Sequence, residues 1–135
     1  MKSPSILVCD DEPDIAEVLG DRLEASGYDV RIVECARDCY ASVAERLPDL
    51  VLMDIQMLAI SGIEALAELK TLHPHLPILM VSASTTQEIA RESEALGAHG
   101  FLLKPFEPVD LMERVKSILG EPCWGWPLIL TLLMT

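Results

Sequence analysis

Apolar residues follow two rhythms along this chain. Short runs without polar alternation, Ser5-Ile6-Leu7-Val8-Cys9, Leu50-Val51-Leu52-Met53, Ile78-Leu79-Met80-Val81 and Phe101-Leu102-Leu103, punctuate it from end to end. Such runs suit strands covered on both faces, the environment at the centre of a parallel sheet. Between them, apolar residues recur three and four positions apart, as on a helix with one buried stripe. Pro13 opens the first of these segments, where its missing N–H costs nothing. Ile15, Val18, Leu19 and Leu23 form its stripe, and Gly27 marks its stop. Residues 29–35, with Val30, Ile32 and Val33, predict another strand, and 36–47 a helix closed by Pro48. A helix over 62–72 turns Ile63, Leu66 and Leu69 inward. The segment 87–96 is more polar, with only Ile89, Ala90, Ala95 and Leu96 to bury, which predicts a weakly anchored helix. A last helix over 108–119 has Val109, Leu111, Met112, Val115, Ile118 and Leu119 as its buried side.

Five strand–helix units in strict alternation imply an α/β fold: a doubly wound parallel sheet with helices on both faces and right-handed crossovers. The strand order 2-1-3-4-5 of the flavodoxin-like arrangement is the common solution at this size. Residues 1–120 make up this domain, and 121–135 form a tail that breaks the pattern. Trp124-Gly125-Trp126-Pro127 leads into Leu128-Ile129-Leu130-Thr131-Leu132-Leu133-Met134, more apolar than a solvated terminus should be yet too short to span a bilayer. A partner or homodimer contact is the first expectation for it. Packing on its own domain, or an end that does not belong to the natural protein, are the alternatives.

Composition narrows the function classes. Twenty-two acidic against ten basic residues give a formal charge of −12, which repels phosphate backbones and anionic lipids and argues against direct nucleic-acid binding. Cys9, Cys35, Cys39 and Cys123 show no CxxC spacing, and no signal peptide precedes Ser5, so a reducing cytoplasm fits. Cys9 reads as a small buried hydrophobe. No stretch is long and apolar enough for a membrane span.

The chemistry gathers at the strand ends. The first run ends in Asp10-Asp11-Glu12, the third strand in Asp54, the fourth in Ser82 and the fifth in Lys104. In open α/β sheets the ligand crevice lies outside the carboxyl ends of the strands, and with strands 1 and 3 adjacent, Asp10, Asp11 and Asp54 converge there. Carboxylates ~4 Å apart repel by about 4 kcal/mol per pair at an effective dielectric of about 20, so such a group needs a cation or a raised pKa. Oxygen ligands select a hard ion, and Mg²⁺ takes a few of them while keeping waters to exchange for a phosphate. A cation, the Ser82 hydroxyl and the Lys104 ammonium around a carboxylate nucleophile supply charge stabilisation for phosphoryl transfer.

Asp10-Asp11, Asp54 within Leu52-Met53-Asp54-Ile55-Gln56-Met57, Gly62, Ser82-Ala83 and Lys104-Pro105-Phe106 together resemble the receiver domains of two-component response regulators, with an arrangement similar to the chemotaxis receiver. The likeness spans about residues 5–119. It implies that Asp54 accepts a phosphoryl group from a histidine kinase or phosphotransfer protein. Asp11 and Asp54 would hold Mg²⁺ directly, Asp10 through water and Gln56 through its backbone carbonyl. Ser82 and Lys104 would bind the phosphoryl oxygens, and the Lys104-Pro105 peptide would be cis, as in the family. Phe101 takes the place of the family's switch aromatic, moving with Ser82 to alter the surface of helix 4, strand 5 and helix 5 for a downstream protein target.

Departures refine that picture. Leu58 stands where the family often has proline, and Gln56 and Ser84 occupy the positions that tune acyl-phosphate hydrolysis. Neither offers a strong base, which implies slow to moderate self-dephosphorylation. His99-Gly100 replaces the acidic pair typical of one transcription-factor subclass and argues against that subclass's dimer mode. His73, His75 and His99 read as loop residues, and Asp49 as a turn residue. Two other functions stay open at this point: a receiver-like binding module that is never phosphorylated, and an aspartyl-nucleophile phosphatase of the haloacid-dehalogenase type. The second needs an acid two residues after its nucleophile, where this chain has Gln56.

Overall fold

The computed structural model describes residues 3–56, 61–83, 87–104 and 106–119. Their backbone alternates strand and helix throughout: β1 (Ser5–Cys9), α1 (Pro13–Ala25), β2 (Asp29–Val33), α2 (Ala36–Glu45), β3 (Leu50–Asp54), α3 (Gly62–Leu72), β4 (Ile78–Ser82), α4 (Gln87–Ala95), β5 (Gly100–Leu103) and α5 (Pro108–Leu119). All four strand pairings are parallel, in the expected order β2-β1-β3-β4-β5. The longer apolar runs, four residues each at 6–9, 50–53 and 78–81, became the inner strands. β3 and β4 are buried at every position, whereas the edge strands β2 and β5 are only partly covered.

The two-residue period of a strand divides the core into two layers. Leu7, Cys9, Val51, Met53, Ile78 and Met80 face one side, where they meet Cys39 and Val43 of α2 and Leu66 and Leu69 of α3. Ile6, Val8, Leu50, Leu52, Leu79 and Leu102 face the other, against Leu19 and Leu23 of α1 and Leu111 and Val115 of α5. Cys9 is fully buried in the first layer. Its thiol donates to the Cys35 carbonyl, and its contact with Cys39 together with burial pushes its pKa far up, as suits a structural cysteine. Asp49 does more than turn the chain. Its N–H donates to the Ser5 carbonyl and its carboxylate accepts from the Ser5 N–H, both at 2.7 Å, so the starts of β1 and β3 are clamped together.

Several helix faces differ from the expected stripes. In α1 the buried positions are Ala16, Leu19, Gly20 and Leu23, while Val18 is 61% exposed. The stripe is centred on small residues because α1 lies close to β2: a Cβ at Gly20 would sit 3.0 Å from Ile32 Cδ1. Val109, in the first turn of α5, is likewise exposed, and Leu111 and Val115 carry the burial. In α4 the fully buried residue is Ser93, whose hydroxyl is satisfied by the Ile89 carbonyl at 2.9 Å, and Ala95 faces solvent. β2 ends at Val33 and α2 at Glu45, each two residues before the expected limit, leaving Cys35 to precede α2 and Leu47 exposed. Among the described residues no helix is long and apolar enough to cross a membrane. The tail, 121–135, lies outside them.

Candidate functional site

Backbone bonds carry the parallel ladder past the strand ends. The Asp10 N–H donates to the Val33 carbonyl, the Ile55 N–H to Val81 and the Lys104 N–H to Ser82, at 3.1, 3.0 and 2.6 Å. These bonds tie the ends of β1 to β2, β3 to β4 and β5 to β4 at one edge of the sheet. Gly62 closes the loop after β3 by donating its N–H to the Ile55 carbonyl at 2.7 Å. A Cβ at Gly62 would stand 2.3 Å from the Asp54 carbonyl oxygen, so only glycine permits this approach. Ser61 then caps α3, its hydroxyl accepting from the Glu64 N–H at 3.2 Å.

Onto this edge the fold brings Asp10 and Asp54, 2% and 3% exposed, with Lys104 between them. Lys104 Nζ lies 2.9 Å from Asp10 Oδ2, 3.4 Å from Asp54 Oδ2 and 3.8 Å from Glu12 Oε1. The remaining oxygens are also engaged. Asp10 Oδ1 accepts from the Glu12 N–H at 2.9 Å, and Asp54 Oδ1 from the Gln56 N–H at 3.0 Å. Each carboxylate is therefore oriented by an N–H two residues further along its own loop.

Two buried acids beside one cation leave negative charge in excess, and the pKa values register it. Burial first, with the adjacent Asp10 adding to it, pushes Asp54 up to about 6, although the Gln56 N–H and the Lys104 ammonium pull the other way. Burial works against the Lys104 ammonium, but its bonds to Asp10 and Asp54 outweigh that cost and its pKa is raised.

Carboxylate oxygens of Asp10, Asp11, Glu12 and Asp54 lie within 4.8 Å of one another, an all-oxygen donor set that fits a single hard divalent cation such as Mg²⁺. Glu12 was not among the expected ligands. It follows Asp10-Asp11 directly, and the acidic run itself was the signal that could have found it. Ser82, at the end of β4, is completely buried, and its carbonyl is tied to Lys104. Gln56 reaches the cluster through its N–H, while its side chain is exposed. Phe101 is half-buried against the layer of α2 and α3, and it lines a cavity of about 430 Å³ with Ala90, Ser93, His99 and Arg114. The expectations for Met57, Leu58, Ser84 and the Lys104-Pro105 peptide fall on positions outside the described residues.

The family model of the response regulator receiver domain matches residues 6–116. The phosphate regulon transcriptional regulatory protein PhoB of Pseudomonas aeruginosa is 34% identical over 121 residues, covering 88% of this chain and 53% of that protein. The transcriptional regulatory protein ZraR of Salmonella typhimurium is 37% identical over 116 residues, covering 86% of this chain and 26% of ZraR. The chain thus spans between a quarter and about half the length of these relatives. Among solved structures, a CheY-like receiver domain protein from Methanospirillum hungatei superposes with a TM-score of 0.84 at 30% identity, covering 87% of this chain and 94% of that one. The chemotaxis protein CheY4 of Vibrio cholerae does so at 0.83 and 28%, covering 87% and 99%. With the sheet order, the acidic strand ends and the matched span in agreement, this chain belongs to the response regulator receiver domain family.

Proposed function

We propose that this receiver domain is a phosphorylatable switch in which Asp54 accepts a phosphoryl group from a phosphohistidine of a histidine kinase or phosphotransfer protein. The observation that carries the proposal is the buried meeting of Asp54, Asp10 and Lys104, with further carboxylates from Asp11 and Glu12 close by. An Asp54 carboxylate oxygen attacks phosphorus, a P–O bond forms as the P–N bond breaks, and the departing imidazole is left neutral with its proton from solvent. The Gln56 N–H orients the Asp54 carboxylate for that attack. Lys104, already desolvated and held by Asp10, offsets charge on the phosphoryl oxygens at no further cost in ordering. Asp11 and Asp54 would hold Mg²⁺ directly, Asp10 through water and Gln56 through its backbone carbonyl, and the ion would supply charge neutralisation to the phosphoryl group.

The added charge of about −1.5 to −2 then draws on Lys104 and the Ser82 hydroxyl. Because Lys104 follows β5 directly, that pull is transmitted to Phe101 and the α4–β5–α5 surface, where the downstream protein target binds. Gln56 stands where an aspartyl phosphatase needs its acid and offers only an amide, which disfavours that reading.

Incubation with acetyl phosphate and Mg²⁺ followed by intact mass measurement tests the proposal. The protein should gain one phosphoryl group, and Asp54→Asn should gain none. No gain in the parent protein, or an equal gain in the variant, would leave a binding module that is not phosphorylated.

A further inference from the structure

A cavity of about 740 Å³ opens at the amino ends of the strands, the edge opposite the acidic cluster, between Pro4, Asp29, Arg46, Leu47, Asp49 and Leu119. Its charged groups already have partners within the wall. Arg46 Nη2 pairs with Asp29 at 3.0 Å, and Asp49 accepts from the Ser5 N–H. Ser5, also on the wall, keeps a buried hydroxyl without a partner among the described residues, and the exposed apolar surface is above all Leu47, which is 57% exposed. Leu119, on the same wall, is the last residue of α5, so the link to residues 120–135 starts at the rim of this cavity. That segment carries one charged side chain, Glu121, against Trp124, Trp126, Leu128, Ile129, Leu130, Leu132, Leu133 and Met134.

We propose that the segment 121–135 covers this cavity of its own domain, with the indoles of Trp124 and Trp126 against Leu47. Reach permits it: an extended chain spans at most about 3.6 Å per residue, so Trp124 can stand up to roughly 18 Å from Leu119. Tethering favours it over a second copy, because a short flexible link gives an effective concentration of about millimolar, well above that of a dilute partner. Indole also suits a wall that mixes leucine with a guanidinium, since its face accepts both.

Trp124 and Trp126 are the two tryptophans of the chain, so tryptophan emission of the intact protein reports this segment alone. The native protein should emit to the blue of the same protein in denaturant, with acrylamide quenching severalfold weaker, and both properties should hold on dilution. Leu47→Glu should shift the emission to the red, with circular dichroism unchanged because the site is exposed, and Leu47→Ala should do so by less. Val18→Glu, at an equally exposed position on α1, should leave the emission alone. Emission already matching the denatured chain would overturn the proposal. So would blue emission that is lost on dilution, which assigns the segment to a second copy, or blue emission indifferent to Leu47.

Discussion

The two edges of the sheet use the same kinds of side chain to opposite effect. At the amino edge Arg46 and Asp29 form an ion pair at 3.0 Å with side chains 56% and 53% exposed. At the carboxyl edge Lys104 and Asp10 form one at 2.9 Å with side chains 9% and 3% exposed. Water and salt screen the first pair, so its net worth is about 0–1 kcal/mol. The second has given up its hydration, and each of its members depends on the other. Among the described residues, only the second edge also crowds a further carboxylate, Asp54, against the same cation. An exposed pair can be lost with little consequence, whereas a buried and over-acidic one is sensitive to any added charge. That sensitivity is the property a charge-operated switch requires.

The largest expected effect comes from removing the shared cation. Lys104→Met leaves Asp10 and Asp54 buried without compensation and should destabilise the metal-free protein by about 3–5 kcal/mol in urea titrations near neutral pH. Added Mg²⁺ should recover part of the loss. A variant as stable as the parent without metal would show that the two edges do not differ in energy.

Next is Asp54 itself. Its pKa is raised from its ordinary 3.8 to about 6 in the folded protein, so the folded state holds the proton more tightly than the unfolded chain does. The resulting destabilisation is absent below pH ~4, grows as pH rises through about 6 and is complete above it. At about 1.36 kcal/mol per pH unit it amounts to at most about 3 kcal/mol. Asp54→Asn should therefore stabilise the metal-free protein at pH 8 by up to that amount, with the gain vanishing toward pH 4. A gain that does not depend on pH would refute the assignment to ionisation.

Gly62→Ala tests the close approach that shapes the loop after Asp54. A methyl group cannot fit 2.3 Å from the Asp54 carbonyl, and the shift it forces should cost about 1–3 kcal/mol in thermal or chemical denaturation. The smallest effect belongs to the amino edge. Asp29→Asn should change stability by less than about 1 kcal/mol, and less still at high salt. A loss comparable to that of Lys104→Met would erase the contrast between the edges.

Much of this was legible along the chain, and the misses share a cause. Uninterrupted apolar runs identified the inner strands, and the polar residues that end them identified Asp10, Asp54, Ser82 and Lys104. Helix faces were read less well. The expected stripes favoured large apolar residues, yet Ala16, Gly20 and Ser93 are buried while Val18 and Val109 are not. How near a helix lies to the sheet selects small residues for burial, and a linear pattern does not hold that distance. Glu12 shows the same limit at the site, because its place in the cluster depends on the path of the loop after β1.

What the sequence by itself determined is therefore the alternation of elements and the chemistry available at their ends, since both follow from local periodicity and from which residues stop each apolar run. Tertiary structure alone decided how those ends meet. Lys104 is nearer to Asp10, 94 residues away in sequence, than to Asp54, and the two acids share one cation at a depth that pushes Asp54 up to about 6. Charge, distance and burial act together in that outcome, and only the register of the assembled sheet brings all three to one point.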